Sequence, residues 1–350
     1  MLNSTLNPIA TAPGKTREAV RCQQRASVEL PTLMLIVITY GGWLFLTAAY
    51  DRWPLWVIAP AVVVLLTLHS SLQHEIIHGH PTRWSWINRL LGMVPLSFWL
   101  PFERYQEHHL DHHVDERLTD PLDDSESYYW TPEEWARLSA FSRASLQMQQ
   151  TLAGRVVIGS FWHIAHFFRG ELRALINNEK RVRVVWIEHL LWCIPVIVWL
   201  TAVCRMPLWV YIVAMVLPAN GVLLIRSFAE HRARPESRHR TAIVERAWVL
   251  GPLFLFNNLH ALHHELPAIP WYEYNARYRA DRDRLIAKNG GLVYSTYFEV
   301  ARRYLFSAHD VLVHPMGRVP RPARRVGAPP LMSGAQETAS TLVTDSPSIS

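Results

Sequence analysis

Cysteine is scarce in this sequence: Cys22, Cys193 and Cys204 are the only three in 350 residues. They form no C-x-x-C spacing, which excludes a disulfide framework and dithiol chemistry, and Cys193 reads as an inert residue of an apolar run. Charge is also short, at 18% of residues against about 25% in a soluble domain. The net charge of +6 comes with no nucleic-acid recognition motif, so a nucleic-acid partner is not expected. The first 30 residues hold no apolar run, so no cleavable signal peptide is expected and the first apolar stretch stays in place as an anchor. No internal repeat is visible beyond two paired apolar runs.

What the chain has in quantity is apolar surface, tryptophan and histidine. Half of it is hydrophobic and 15 residues are Trp, a side chain suited to the membrane–water interface. Leu33–Tyr50 and Trp53–Leu72 are nearly uncharged runs separated by Asp51 and Arg52. Val184–Ala202 and Pro207–Ile225 form a second pair across Cys204-Arg205-Met206. A span needs about 20 apolar residues, so the expected fold is all-α: a membrane bundle of four spanning helices in two hairpins with a cytoplasmic helical cap. Residues 1–31 read as a polar tail with a short helix near Arg17, 32–306 as the membrane domain, and 307–350 as a disordered tail. Trp84–Phe102, broken by Pro95 and Pro101, is expected to lie on or dip into the bilayer, Asp120–Glu134 to be a solvated loop ending at a helix capped by Thr131, and Gly154–Phe168 to be interfacial. The hairpin turns carry one arginine each, and nearly all other Lys and Arg lie outside them, which places both termini and every histidine cluster in the cytoplasm.

The 18 histidines are clustered. His74-Glu75-Ile76-Ile77-His78 sets two imidazoles at i, i+4 on one helix face. His109, His112 and His113 follow H-x-x-H-H spacing, and His260, His263 and His264 repeat it. His231 stands alone after the fourth apolar run. These nine candidate ligands overfill one four-coordinate metal and suit two. Imidazole accepts iron, copper, nickel or zinc, so ligand type alone does not choose the metal; a membrane site with open positions for O2 favours iron. Glu75, Asp111, Glu230 and Glu265 adjoin the clusters and are candidates to hold the outer ring nitrogens, with His80 and His108 as flanking hydrogen-bond partners. His163 and His166 share a helix face without a third partner, and His69, His189, His239, His309 and His314 read as structural or solvated. No catalytic group beyond the metal ligands is expected.

The three boxes with a solitary histidine before the third resemble the membrane fatty-acid-desaturase superfamily over about Leu33–Phe306. The stretch from Asn257-Asn258-Leu259-His260 to Pro267, Pro270, Trp271 and Tyr272 is similar to the third box of its bacterial members. The resemblance implies that the nine histidines hold two irons, and that O2 and two electrons insert a double bond into an acyl or similar amphiphilic substrate at a bacterial inner membrane. Members with a water-linked asparagine four residues before the solitary histidine have Ser227 at that place here. His314-Pro315-Met316-Gly317 departs from the His-Pro-Gly-Gly haem signature of fused cytochrome b5 domains, so the implied electron donor is a separate ferredoxin or flavoprotein reductase. Three readings compete: hydroxylation by the same site, desaturation of a small amino-acid-derived metabolite, and a zinc membrane protease using His74, Glu75 and His78. A metal transporter would need ionisable residues along the spans, and Glu188 and His189 are the two available.

Overall fold

The computed structural model describes residues 28–114 and 117–316. The expected N-terminal helix near Arg17 and the tail from 317 onward lie outside the described residues.

The first hairpin is α1 (Leu30–Ala48) and α2 (Leu55–Ile77). Pro31 sits in the first turn of α1 and Pro54 precedes α2, positions where no intrahelical N–H is lost. The buried hydroxyls of Thr39, Thr47 and Thr67 donate to the carbonyls of Leu35, Trp43 and Val63 at 2.7, 2.8 and 2.8 Å, so apolar surroundings leave none of them bare. Next come α3 (Ser85–Gly92), an irregular stretch over 93–101, and α4 (Phe102–His112). The breaks expected at Pro95 and Pro101 are present, and the stretch Trp84–Phe102 holds one short helix followed by irregular chain. Pro95 and Pro101 cannot supply the N–H a helix needs, and Phe98 turns the chain with φ 65°. The stretch dives between the hairpins instead, with Leu96 fully buried.

A loop over 117–131 leads to α5 (Pro132–Arg137), α6 (Ala140–Met148), α7 (Leu152–Val157) and α8 (Gly159–Ile176). Thr131 caps α5 as its sequence signature predicts, its hydroxyl accepting from Glu134 N at 3.1 Å. The second hairpin is α9 (Lys180–Val203) and α10 (Leu208–Glu230), turned by Arg205 at φ 53°. Each contains a wide π turn, Trp199–Val203 and Ile212–Val216. A small cap completes the fold: β1 (Ile243–Val244), α11 (Leu250–Leu253), α12 (His260–Glu265), α13 (Tyr274–Lys288), β2 (Val293–Tyr294) and α14 (Tyr297–Tyr304), with Ile243 paired in parallel to Val293. Residues 307–314, assigned to the tail on composition, lie back on the body: Trp130 N donates to Leu312 O at 2.8 Å and His309 N to Gln150 O at 2.7 Å.

α1, α2, α9 and α10 are each long and apolar enough to cross a membrane. Their outer faces leave Val37, Phe45, Ile187 and Leu191 60–71% exposed, which suits lipid and not water. The hairpins meet through Trp43, Ile58, Leu66, Leu200 and Tyr211. Trp43 Nε1 donates to Tyr211 Oη, which donates to Leu96 O, both at 2.8 Å. The chain is a helical membrane protein in which α2 and α10 run past their expected ends, carrying His74 inside the last turn of one and His231 to the C-cap of the other.

Candidate metal centre

Four elements deliver the nine histidines to one place. His74 and His78 sit at the end of α2, with ring centroids 5.0 Å apart. His109, His112 and His113 crowd the last turn and cap of α4. His231 ends α10 in extended conformation, fixed by a bridge to Thr241. His260, His263 and His264 occupy α12, which Asn258 Nδ2 ties to Val244 O at 2.7 Å.

The imidazoles fall into two sets. In one, the ligating atoms of His74, His78, His109 and His263 lie within 4.8 Å of one another; in the other, those of His112, His231, His260 and His264 do. His113 belongs with the first set, its Nε2 lying 3.0 Å from that of His109 and 2.9 Å from that of His263. It also stacks on His264 with centroids 4.4 Å apart, joining the two sets.

Outer ring contacts fix which nitrogens face inward. His109 Nδ1 donates to Glu126 Oε1 at 3.0 Å and His112 Nδ1 to Asp124 Oδ1 at 2.8 Å. His231 Nδ1 faces the carbonyl of Arg240 at 3.3 Å, and His260 Nδ1 faces Asn257 Oδ1 at 3.0 Å with Glu230 Oε1 at 3.2 Å. These partners are acceptors, so the Nδ1 atoms carry the protons and the Nε2 atoms keep lone pairs. The Nε2 atoms of His231 and His260 are nonetheless 2.8 Å apart. Two bare lone pairs repel at that distance. A cation about 2.0–2.1 Å from each, the usual metal–imidazole length, holds a near-perpendicular pair of nitrogens about 3 Å apart. The donor set therefore fits metal ions.

Electrostatics agree. Burial, with mutual repulsion among the rings, keeps His109, His231, His260, His263 and His264 well below the usual imidazole value, in the neutral ligating form. At His112 burial is outweighed by Asp124 and Glu126, which push it up to about 9. Asp124 and Glu126 overturn the expectation of a solvated loop. Asp124 is buried, accepting from Thr119 N at 2.8 Å and Glu126 N at 2.9 Å as well as from His112, so the loop is folded over the histidines.

Among the flanking residues proposed from sequence, Glu230 reaches a clustered histidine. Glu75 turns away and accepts from Trp271 N at 3.2 Å, and His80 is bound to Glu29 at 2.6 Å. His108 meets Arg104 at 3.2 Å, while Asp111 is exposed. Ser227 accepts from Tyr128 Oη at 2.7 Å, and Glu265 pairs with Lys288 at 2.8 Å. Adjacency in sequence misleads here because neighbours on a helix point apart. The partners it missed are Asp124, Glu126, Asn257 and Tyr274, the last 2.9 Å from His263 Nδ1. The acidic run Asp123-Asp124-Ser125-Glu126, beginning 10 residues after the second box, was the available signal.

The remaining histidines stay outside both sets. His163 packs edge-on to Trp99, His189 contacts Phe98 O at 2.7 Å, and His69 meets Tyr40 at 3.2 Å. Glu188 is held by Arg89 at 2.6 Å, so the ionisable pair in α9 is engaged in packing rather than lining a conduit. The protease geometry fails as well, since Glu75 faces away from His74 and His78.

Residues 51–298 match the family model described as "Fatty acid desaturase", a range that takes in all nine histidines. No curated protein matches the sequence.

Proposed function

The chain belongs to the fatty acid desaturase family, and from that premise we propose that it is an O2-dependent diiron desaturase of an acyl or similar amphiphilic substrate. Desaturase- or hydroxylase-type oxidation follows from the family. The finer reading is carried by the two convergent imidazole sets joined through His113. His74, His78, His109, His113 and His263 would hold one iron, and His112, His231, His260 and His264 the other. Bound iron supplies the redox chemistry that removes hydrogen from an unactivated C–H.

The chain's own groups set the stage for that chemistry. Asp124 and Glu126 keep the Nδ1 protons of His112 and His109 in place and aim the opposite nitrogens inward. Burial keeps the rings of His109, His231, His260, His263 and His264 neutral and shuts out bulk water. In balance, a –CH2–CH2– unit, O2, two electrons and two protons become –CH=CH– and two waters. The electrons are to come from a separate ferredoxin or flavoprotein reductase drawn to the basic cytoplasmic face.

Purified protein is expected to hold about two irons per chain and little zinc by elemental analysis, because nine imidazoles exceed one metal's need. Mass spectrometry of lipids and polar metabolites from cells with and without the gene should show a product lighter by two hydrogens. A product heavier by one oxygen assigns hydroxylation, and zinc without iron removes the reading.

A further inference from the structure

The strap over residues 307–314 touches two segments that frame the second imidazole set. It ties first to the loop over 117–131. Trp130 N donates to Leu312 O at 2.8 Å and His314 N to Trp130 O at 3.0 Å, while the Tyr129 ring meets that of His314 edge-on with centroids 5.3 Å apart. It ties next to the chain just past His231, where Arg232 Nη2 donates to His309 O at 3.1 Å.

Asp310 joins these two ties. Its Oδ2 accepts from Tyr129 Oη at 2.6 Å and from Arg232 Nε at 3.3 Å, and its side chain is 17% exposed. Its Oδ1 accepts from Val311 N at 2.8 Å, which holds the carboxylate in place. Tyr129 Oη in turn accepts from Ala233 N at 2.7 Å. One carboxylate and one phenol thus bridge the loop to the residues that follow His231. Shielding from water strengthens charge-assisted bonds of this kind.

The bridge ends on the second imidazole set from both sides. Asp124, in the same loop as Tyr129, holds His112 Nδ1 at 2.8 Å. Arg232 directly follows His231, whose Nε2 is 3.0 Å from that of His112. We propose that Asp310 is a positioning residue for the metal centre: by binding Tyr129 and Arg232 together, it sets how closely the His112–Asp124 pair and His231 approach. The first set depends less on this bridge. The loop reaches it through Glu126, which is about one-third exposed and replaceable there by water. His74, His78 and His263 come from α2 and α12, which carry neither end of the bridge. The inference rests on reading the histidines as two metal sites.

The test titrates metal-free, full-length protein in detergent with Co2+, following visible absorption, and measures thermal unfolding on the same samples. Wild type should take up two ions. Asp310→Ala should weaken one of them about tenfold, the scale of one charge-assisted hydrogen bond, and leave the other in place. Tyr129→Phe, which removes the hydroxyl alone, should weaken the same ion. The double variant should be no worse than Asp310→Ala, because the two side chains act as one bridge. Asp310→Asn, which keeps an acceptor for Tyr129, should recover part of the affinity, and Glu236→Gln, on the exposed surface, should bind as wild type. A lower melting temperature with both ions bound as before, or equal weakening of both ions, marks a merely structural role and overturns the proposal. Should Asp310→Ala fail to fold, Tyr129→Phe decides alone. Fewer than two ions in wild type removes the two-metal reading and the proposal with it. Two ions in wild type with unchanged binding in both single variants removes the proposal alone.

Discussion

At the residue scale the centre depends on which atom of each imidazole faces inward, and the outer partners decide that. Replacing Asp124 with Asn removes the carboxylate charge that holds His112 and leaves one acceptor oxygen for two donors, His112 Nδ1 and Thr119 N, and is expected to weaken iron binding about 10- to 100-fold. Glu126→Gln should cost less, because that carboxylate is about one-third exposed and water can replace it. Iron titration of the metal-free variants separates the two. His231→Ala is expected to abolish turnover and lower iron content with membrane insertion intact, since its Nε2 lies 3.0 Å from His112 and 2.8 Å from His260. His239→Ala should change neither, its near partner being Glu236 at 3.6 Å on the surface. Retention of full iron by His231→Ala would mean another donor serves the second set. The nine imidazoles were legible beforehand because two H-x-x-H-H clusters and an H-x-x-x-H are rare together. Their outer partners were not, because Asp124 and Glu126 come from a loop whose polar composition also describes a solvated one.

At the element scale the four long helices could be read from length and apolarity alone, while the stretch between the hairpins could not. Pro95 and Pro101 announce a broken helix, but what the freed backbone does depends on partners distant in sequence. Here it runs inward to Tyr211, whose hydroxyl accepts from Trp43 and donates to Leu96 O. Tyr211→Phe leaves an indole N–H and a carbonyl bare in a dry core, which should cost about 1–3 kcal/mol. Thermal unfolding in detergent should register the loss, and the iron content of the folded fraction should not change. An unchanged melting temperature would mean that water or lipid replaces the hydroxyl. The short cap elements were equally hidden: β1 and β2 are two residues each, too brief for an alternating pattern to show.

At the scale of the whole molecule, the gathered histidines make stability depend on pH when no metal is bound. His109, His231, His260, His263 and His264 are held below the usual imidazole value of 6.5 when folded, so the unfolded chain binds more protons as pH falls past 6.5. His112, raised to about 9, works oppositely: its contribution is complete below 6.5 and fades as pH rises through 9. With five groups against one, the chelated protein should melt at progressively lower temperature between about pH 7 and about pH 5. A flat profile would show that the rings are not buried neutral. The same gathering constrains topology. α2 delivers His74 and His78 at its C-terminal end and α10 ends at His231, and these rings belong to one cluster. Both helices must therefore finish at the same membrane face, which two hairpins of antiparallel helices permit only if the starts of α1 and α9 lie there too. Lys180, Arg181 and Arg183 begin α9 and Arg226 and Arg232 flank the end of α10, whereas Arg52 and Arg205 are the single arginines of the two turns. On the rule that positive charge is retained inside, the metal face is expected to be cytoplasmic. Reporter fusions at residues 115 and 240 should both report a cytoplasmic location and a fusion at residue 52 the opposite side. A cytoplasmic signal from residue 52 would invert this arrangement, or remove the first hairpin from the membrane.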